Sequence, residues 1–349
     1  MSKQRRGRKG EKLRIALIIT CVVLSLILIG VLLGAVYINS LLNKATYVDS
    51  NTETTKTSEQ ASSILEEELE IDDSSVTVIE ATIPEIEDEP VVQGENVINI
   101  LMIGQDRRPG QGTQRSDSMI LVTFNKSTGK ITLTSFMRDQ YVRIPGYGND
   151  KLCHAYAYGG MALLNQTLYD HFGVEIDGNV EVDFSGFTTI VNILGGVEVE
   201  LTKKEANYLN KKGDWNLTKG TWTLTGEQAL EYSRIRKIDS DYKRAERQRK
   251  LLLSLIEEYK GQDMATTMKM VEEFLPLVTT DIPKNQVLGY AVELFPMLSD
   301  ATIETLRIPV DGTFTGGYVR VSETHRMWCQ YDIDFQKNRD ILREVFAES

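Results

Sequence analysis

The feature that most constrains this chain is an uncharged apolar run at residues 15–38, close behind the N-terminus. As a helix rising about 1.5 Å per residue, it is long enough to cross a hydrocarbon core of roughly 30 Å. Lys3, Arg5, Arg6, Arg8, Lys9, Lys12 and Arg14 precede it, against Glu11 alone. A cleaved signal peptide would have a shorter apolar region and a small-x-small exit, and neither is convincing here. The run therefore reads as an uncleaved signal anchor. Residues 1–14 form a basic cytoplasmic tail, residues 15–38 a transmembrane helix, and everything downstream lies outside the cell.

Residues 39–95 are rich in Ser, Thr, Glu and Asp, and aromatics nearly vanish after Tyr47. Such a composition buries too little surface to offset chain entropy, so an acidic, mostly disordered linker is expected. The linker carries 15 acids against 2 bases (−13) and the N-terminal tail seven bases against one acid (+6), so −4 of the total −11 remains for residues 96–349. A mildly acidic external domain is a poor nucleic-acid binder. Three cysteines exclude a disulfide framework; Cys153 and Cys329 either pair or remain buried thiols.

From residue 96 the pattern alternates. Residues 97–104 are a nearly continuous apolar strand, followed by strands at 119–124 and 130–136 around a turn at 125–129. A helix is expected over 161–172, then a strand at 179–182. Asp183 reads as the N-cap of a helix carrying Phe184, Phe187, Ile190, Val191 and Leu194, closed by Gly195-Gly196. Further helices are expected at 203–212 and 226–233, with late strands at 302–308, 318–321 and 327–331 and a closing helix over 334–346. Strands alternating with helices predict an α/β fold: a mixed central sheet covered on both faces, hence a three-layer α-β-α sandwich.

The stretch from Arg234 to Leu255 carries the most chemistry. With Asp241 as N-cap and 100° per residue, Arg244, Arg247, Gln248, Leu251 and Leu255 share one stripe. Glu246, Lys250 and Glu257 fall opposite. Arginines aimed along a core-facing line must meet anions, since an unpaired buried guanidinium is prohibitively costly. Arg234 and Arg236, two apart, share a face if extended. The cluster suits phosphate oxygens; a basic helix start paired with its own acids is the other reading.

Asp106 and Asp117 lie eleven residues apart across a loop that also holds Arg107, Arg108 and Arg115. Two carboxylates beside arginines suit Mg²⁺ with a phosphorylated ligand, and equally a pair of salt-bridged loop aspartates. Arg138-Asp139 follows a strand end, where α/β ligands gather; a structural ion pair fits as well. No GxxxxGK[ST], GxSxG or HExxH motif occurs, and the three histidines are scattered.

The ordered set Asn99–Asp106, Arg115-Ser116-Asp117, Ser135–Asp139, Lys151 with His154–Gly160, Val182-Asp183-Phe184, Gly195-Gly196-Val197, Ala229–Arg236 and Asp241–Gln248 resembles the LytR-CpsA-Psr family from about residue 96 to 260. The resemblance implies a membrane-anchored phosphotransferase using Mg²⁺ (or Mn²⁺). It would move an anionic glycopolymer from a polyprenyl diphosphate carrier onto a peptidoglycan acceptor through a phosphodiester. Carried over by position, Asp106 and Asp117 hold the metal. Arg115, Arg138, Arg234, Arg236 and Arg244 bind the diphosphate, with Arg247 and Gln248 supporting. For such a transfer, Asp139 is the nearby carboxylate expected to accept the hydroxyl proton. The family often has Asn at Cys153 and usually Pro at Met137. A sensor that binds the lipid-linked glycan without chemistry, and a hydrolase of the same diphosphate, remain the alternatives.

Overall fold

The computed structural model describes residues 37–50, 55–57, 60, 77–84, 86, 91, 93–105, 107, 112–260, 262–320 and 326–347. Asp106 and residues 15–36 fall outside these, so one expected metal ligand and nearly all of the expected membrane helix do too. Among the described residues no helix is long and apolar enough to cross a membrane. The chain divides into two units, 1–45 and 46–349. In the first, residues 37–42 are helical; the second carries everything below.

The strands are β1 (Thr46–Tyr47), β2 (Val78–Ile79), β3 (Val97–Gln105), β4 (Ser116–Asn125), β5 (Lys130–Phe136), β6 (Tyr141–Ile144), β7 (Gly148–Lys151), β8 (Gly178–Asp183), β9 (Val197–Leu201), β10 (Gly220–Leu224), β11 (Thr279–Thr280), β12 (Thr302–Ile308), β13 (Thr315–Arg320) and β14 (Arg326–Tyr331). The helices are α1 (Leu152–Phe172), α2 (Phe184–Ile193), α3 (Lys203–Lys212), α4 (Gly226–Ser233), α5 (Asp241–Tyr259), α6 (Met264–Phe274), α7 (Lys284–Leu298) and α8 (Phe335–Phe346). A seven-stranded sheet in the order β1-β11-β8-β3-β4-β5-β12 forms the middle layer. It is mixed: β3 pairs parallel to β8 and antiparallel to β4, and β5 pairs parallel to β12.

The pleat sorts side chains by parity. Leu101, Ile103, Met119 and Leu121 face α1 and α8, where they join Leu164, Leu168, Phe172, Leu342 and Phe346 in one buried cluster. Ile120, Val122, Ile131 and Leu133 face the other way, against Leu252, Leu253 and Ile256 of α5. A satellite core fills the space between the β9–β10 hairpin, α3 and α4. The expected three-layer sandwich around a mixed sheet is present.

Three local readings differ. Residues 152–160, which precede the helix expected over 161–172, already belong to α1, which kinks at Gly159 and Gly160 (φ +62°). Leu152 through Met161 are all buried, so this half shows no amphipathic stripe for a periodicity reading to detect. The long helix starts at Asp241 with Ser240 in the N-cap position; Asp241 instead pairs with Arg244. Parts of the acidic linker join the sheets: β1 lies parallel to β11, β2 lies parallel to β13, and the Val91 N–H donates to the Gly173 carbonyl. Edge pairing uses backbone groups, so it needs no apolar run in the added segment. Asp183 caps α2 as expected, accepting from the Gly186 N–H at 2.8 Å. No disulfide joins the buried Cys153 and Cys329.

Candidate functional site: a cationic cluster at the head of an apolar cavity

The β4–β5 register builds the centre of the site. Ile120 pairs with Ser135, and three more residues along this antiparallel frame set Asp117 opposite Arg138. Arg138 Nη1 donates to Asp117 Oδ1, while Arg138 Nε lies 3.4 Å from Asp139 Oδ1. Arg138 is only 6% exposed, so the guanidinium is locked by its neighbours before any ligand arrives. Gly104 sits beside this pair on β3, where a Cβ would approach that of Ser118 to 3.2 Å.

Two other elements complete the cluster. α4 ends at Arg234, whose guanidinium lies over the Phe184 ring at 4.7 Å and whose Nη1 is 3.5 Å from Glu231. Arg236 Nη2 is 3.5 Å from Asp117 Oδ1. α4 can deliver them because Gly226 lies against α2: a Cβ there would sit 2.1 Å from the Thr188 carbonyl oxygen. α5 contributes Arg244, buried and held by Asp241 at 2.8 Å. Arg244 Nε and Nη1 are buried with no accepting atom among the described residues. Buried donors are nearly always satisfied, so this pair points to an absent anion.

The charges perturb one another. Burial alone would raise the Asp117 carboxyl, but Arg138, then Arg244, Arg236 and Arg115, outweigh it and hold its pKa below the ordinary value. Burial raises Asp241 despite Arg244. Burial, then Arg236 and Arg138, lower Arg244 against the pull of Asp241. The cluster thus has more positive charge than its own acids neutralise.

It stands at the head of a cavity of about 750 Å³ that Arg115, Asp117, Arg138, Arg234, Arg236, Arg244 and Gln248 help to line. α5 forms one wall. Leu255 follows Arg244 by eleven residues, about 17 Å along the axis, and lines the cavity with Leu251 and Ile256. α2 lines it through Phe187 and Ile190, with Leu194 just beyond the helix; Met270, Phe274 and Val278 line it as well. A charged head followed by a long apolar shaft suits an oxyanion carried on a hydrocarbon chain.

Most expected residues converge. Arg115, Asp117, Arg138, Arg234, Arg236, Arg244 and Gln248 meet at the cavity. Arg247 does not: its Nε donates to Glu205 at 2.7 Å and its Nη2 to Asp239, past the edge of α5 toward α3. Asp139 pairs with Arg138 and with Lys151 Nζ at 3.3 Å and does not line the cavity. Arg107 turns to Glu181 at 3.0 Å. Sequence reading missed the Arg244 partner Asp241, the Phe184 platform, and the contribution of Met270, Phe274 and Val278. The Asp241–Arg244 spacing of three was a usable signal; the last three residues had none, since their apolar segment looked like any other.

The residues define an α/β protein that presents a guanidinium cluster at the mouth of a lipid-sized apolar cavity. The chain belongs to the LytR_cpsA_psr family, whose match spans residues 43–331. It is 35% identical over 223 residues to the polyisoprenyl-teichoic acid–peptidoglycan teichoic acid transferase TagT of Bacillus subtilis (strain 168), covering 62% of this chain and 68% of that one. It is 38% identical over 172 residues to TagU of Oceanobacillus iheyensis, covering 47% of this chain and about half (52%) of that protein. It is 30% identical over 227 residues to the regulatory protein MsrR of Staphylococcus aureus (strain COL), covering 64% and 68%. Among solved structures, TagT bound to LI-WTA superposes with a TM-score of 0.57 at 29% identity, covering 80% of this chain and 97% of that one. TagT with bound octaprenyl pyrophosphate lipid gives 0.53 at 27% identity, over 80% and 97%.

Proposed function

We propose that the protein transfers an anionic glycopolymer from a polyprenyl diphosphate carrier to a hydroxyl of peptidoglycan, forming a phosphodiester and releasing polyprenyl phosphate. The observation that carries this is the union in one cavity of buried, unsatisfied Arg244 donors with a long apolar shaft. The names of the relatives as teichoic acid transferases, and the octaprenyl pyrophosphate in a family structure, support the same reading.

A diphosphate repels an incoming hydroxyl. Arg138, Arg236 and Arg244 neutralise that charge from fixed positions, so little reorganisation is needed as the phosphoryl group moves between oxygens. Arg115 and Arg234 line the same cavity and would add positive charge on the diphosphate, and Gln248 would supply a neutral amide. The apolar shaft seats the prenyl chain and keeps water from the leaving side. Asp117 fits a divalent cation: it is a hard oxygen donor kept ionised beside the head of the cavity. Asp117, with Asp106 as its expected partner, would hold Mg²⁺ or Mn²⁺, which would supply further charge neutralisation on the diphosphate. Asp139 is better placed to orient Arg138 than to take a proton from a group in the cavity. The apolar run at residues 15–38 would anchor the chain in the membrane with this domain outside the cell.

The test mixes the full chain, in detergent, with a short-chain polyprenyl diphosphate glycan and peptidoglycan oligomers, with and without Mg²⁺, and reads products by mass spectrometry. A Mg²⁺-dependent phosphodiester adduct, lost in Asp117→Asn, is expected. Carrier binding without turnover would favour a regulatory role, as the name of MsrR suggests; released polyprenyl phosphate without adduct would favour a hydrolase. A separate variant probes the shaft. Leu255→Trp narrows the cavity and should weaken polyprenyl diphosphate at least about tenfold. Inorganic diphosphate, which has no tail, should bind as before in a calorimetric titration.

A further inference from the structure

A second cationic site lies on the other flank of α5. Tyr242 and Arg249 are seven residues apart, two helical turns, and so share a face turned away from the Arg244–Gln248–Leu255 line. That face meets β12. Arg307 projects from the same side of β12 as Ile303, which packs with the α5 cluster, whereas Leu306 and Ile308 pack toward α1. The Arg307 guanidinium lies 4.7 Å from the centre of the Tyr242 ring, and Phe314 lies 5.8 Å from the same ring.

The charges here do not close among themselves. Arg307 pairs with Asp311, whose side chain is 89% exposed. Yet Arg307 Nε and Arg249 Nη1 are both buried and without an accepting atom among the described residues. Burial, then the Arg307 charge, push Arg249 below the ordinary arginine range. Glu246, the acid nearest in influence, is engaged with Lys243 at 2.7 Å. Two guanidiniums that repel one another, each with an orphan donor and one of them over the Tyr242 ring, make a receptor for an oxyanion.

The site communicates with the transfer centre. Arg307 sits level with Ser135 on neighbouring β5, three residues before Arg138, roughly 10 Å along the strand. The hydroxyl of Tyr242 accepts from Gln330 Nε2 at 3.2 Å, and the Gln330 N–H donates to the Asp139 carbonyl at 2.8 Å. The geometry of displacement then assigns the occupant. Attacking and leaving oxygens lie roughly in line. With the prenyl chain in the shaft, the leaving oxygen points into it, and the attacking hydroxyl arrives from outside it; Tyr242, Arg249, Arg307 and Phe314 do not line the cavity.

Resting on the transferase reading above, we propose that Arg249 and Arg307, with Tyr242 and Phe314, form an acceptor subsite that holds a carboxylate of the incoming glycan while its hydroxyl reaches the phosphorus. Peptidoglycan fragments with lactyl or peptide-stem carboxylates have this chemistry. The step itself is unchanged: the acceptor oxygen bonds to phosphorus as the bond to the carrier phosphate breaks, and the hydroxyl proton goes to the released polyprenyl phosphate.

The test uses the full chain in detergent and two forms of one muropeptide oligomer, one with free carboxylates and one with all carboxylates amidated. Calorimetry should show the amidated form binding wild type about tenfold more weakly. Arg249→Gln should weaken the free form by a similar factor, leave the amidated form unchanged, and leave polyprenyl diphosphate affinity intact. Arg307→Lys, which keeps charge but loses the fork, should fall between. Equal binding of the two forms by wild type would overturn the proposal without any variant, and so would an Arg249→Gln loss as large for the carrier as for the acceptor. Carboxylate-dependent binding by a chain that transfers nothing would uphold this site and overturn the transferase reading.

Discussion

Replacing Arg138 with alanine is expected to cut the transfer rate by about 10²–10³-fold, the usual effect of removing one preorganised donor from an oxyanion site. The loss should fall mainly on kcat. Arg138 is 6% exposed and is held by Asp117 and Asp139 before substrate binds, so it adds little binding area but fixes charge at the reacting phosphorus. Arg138→Lys should recover only part of the rate, because an ammonium cannot bridge Asp117 and a phosphate oxygen with a planar fork. Single-turnover kinetics with labelled polyprenyl diphosphate glycan would separate chemistry from binding. An unchanged rate constant with a raised half-saturation would mean that Arg138 only binds.

Arg247→Met should do the reverse. Arg247 lies on the same helix, yet it is buried against Glu205 and Asp239, and its guanidinium lies 5.9 Å from the Tyr232 ring centre. Removing it leaves those acids without their partner, a loss of about 3–5 kcal/mol, or on the order of 10 °C in melting temperature for a domain of this size. Affinity for inorganic diphosphate should hold at temperatures where the variant is folded. The pH dependence carries a second check. Burial would raise Glu205, but the hydrogen bond from Arg247, then those from Thr202, hold it below the ordinary value of 4.5. Its contribution is therefore present above that value and lost as pH falls through the lowered folded-state pKa. In Arg247→Met the largest cause of that lowering is gone, so the stability gap between wild type and variant should narrow as pH drops below about 4.5. A gap that stays constant across this range would show that Glu205 does not depend on Arg247.

These two arginines show how far the residues could be read in advance. Helical periodicity placed Arg244 and Arg247 on one stripe, and the stripe is about 60° wide between them. That width is enough for Arg244 to point into the cavity while Arg247 passes the helix edge toward α3. Side-chain length and the location of Glu205, 42 residues upstream, settled which way each turned. Asp117 and Arg138 were both legible as strand-end residues, but their direct pairing came from the β4–β5 register. Met270, Phe274 and Val278 stayed hidden because a cavity wall and a core have the same apolar composition.

The sequence by itself determined the layered α/β class, the identity of most cluster residues and their placement at element ends. Turn chemistry, period-2 and period-3.6 patterning, and caps such as Asp183 are local, and local interactions are written in adjacent residues. Only the tertiary structure decided that the cluster opens onto an apolar shaft, that Arg247 serves the fold, that linker segments complete sheet edges, and that the Arg307 charge acts on Arg249. Each of these depends on which distant carboxylate, ring or backbone edge lies within a few ångströms, a distance that sequence separation does not encode.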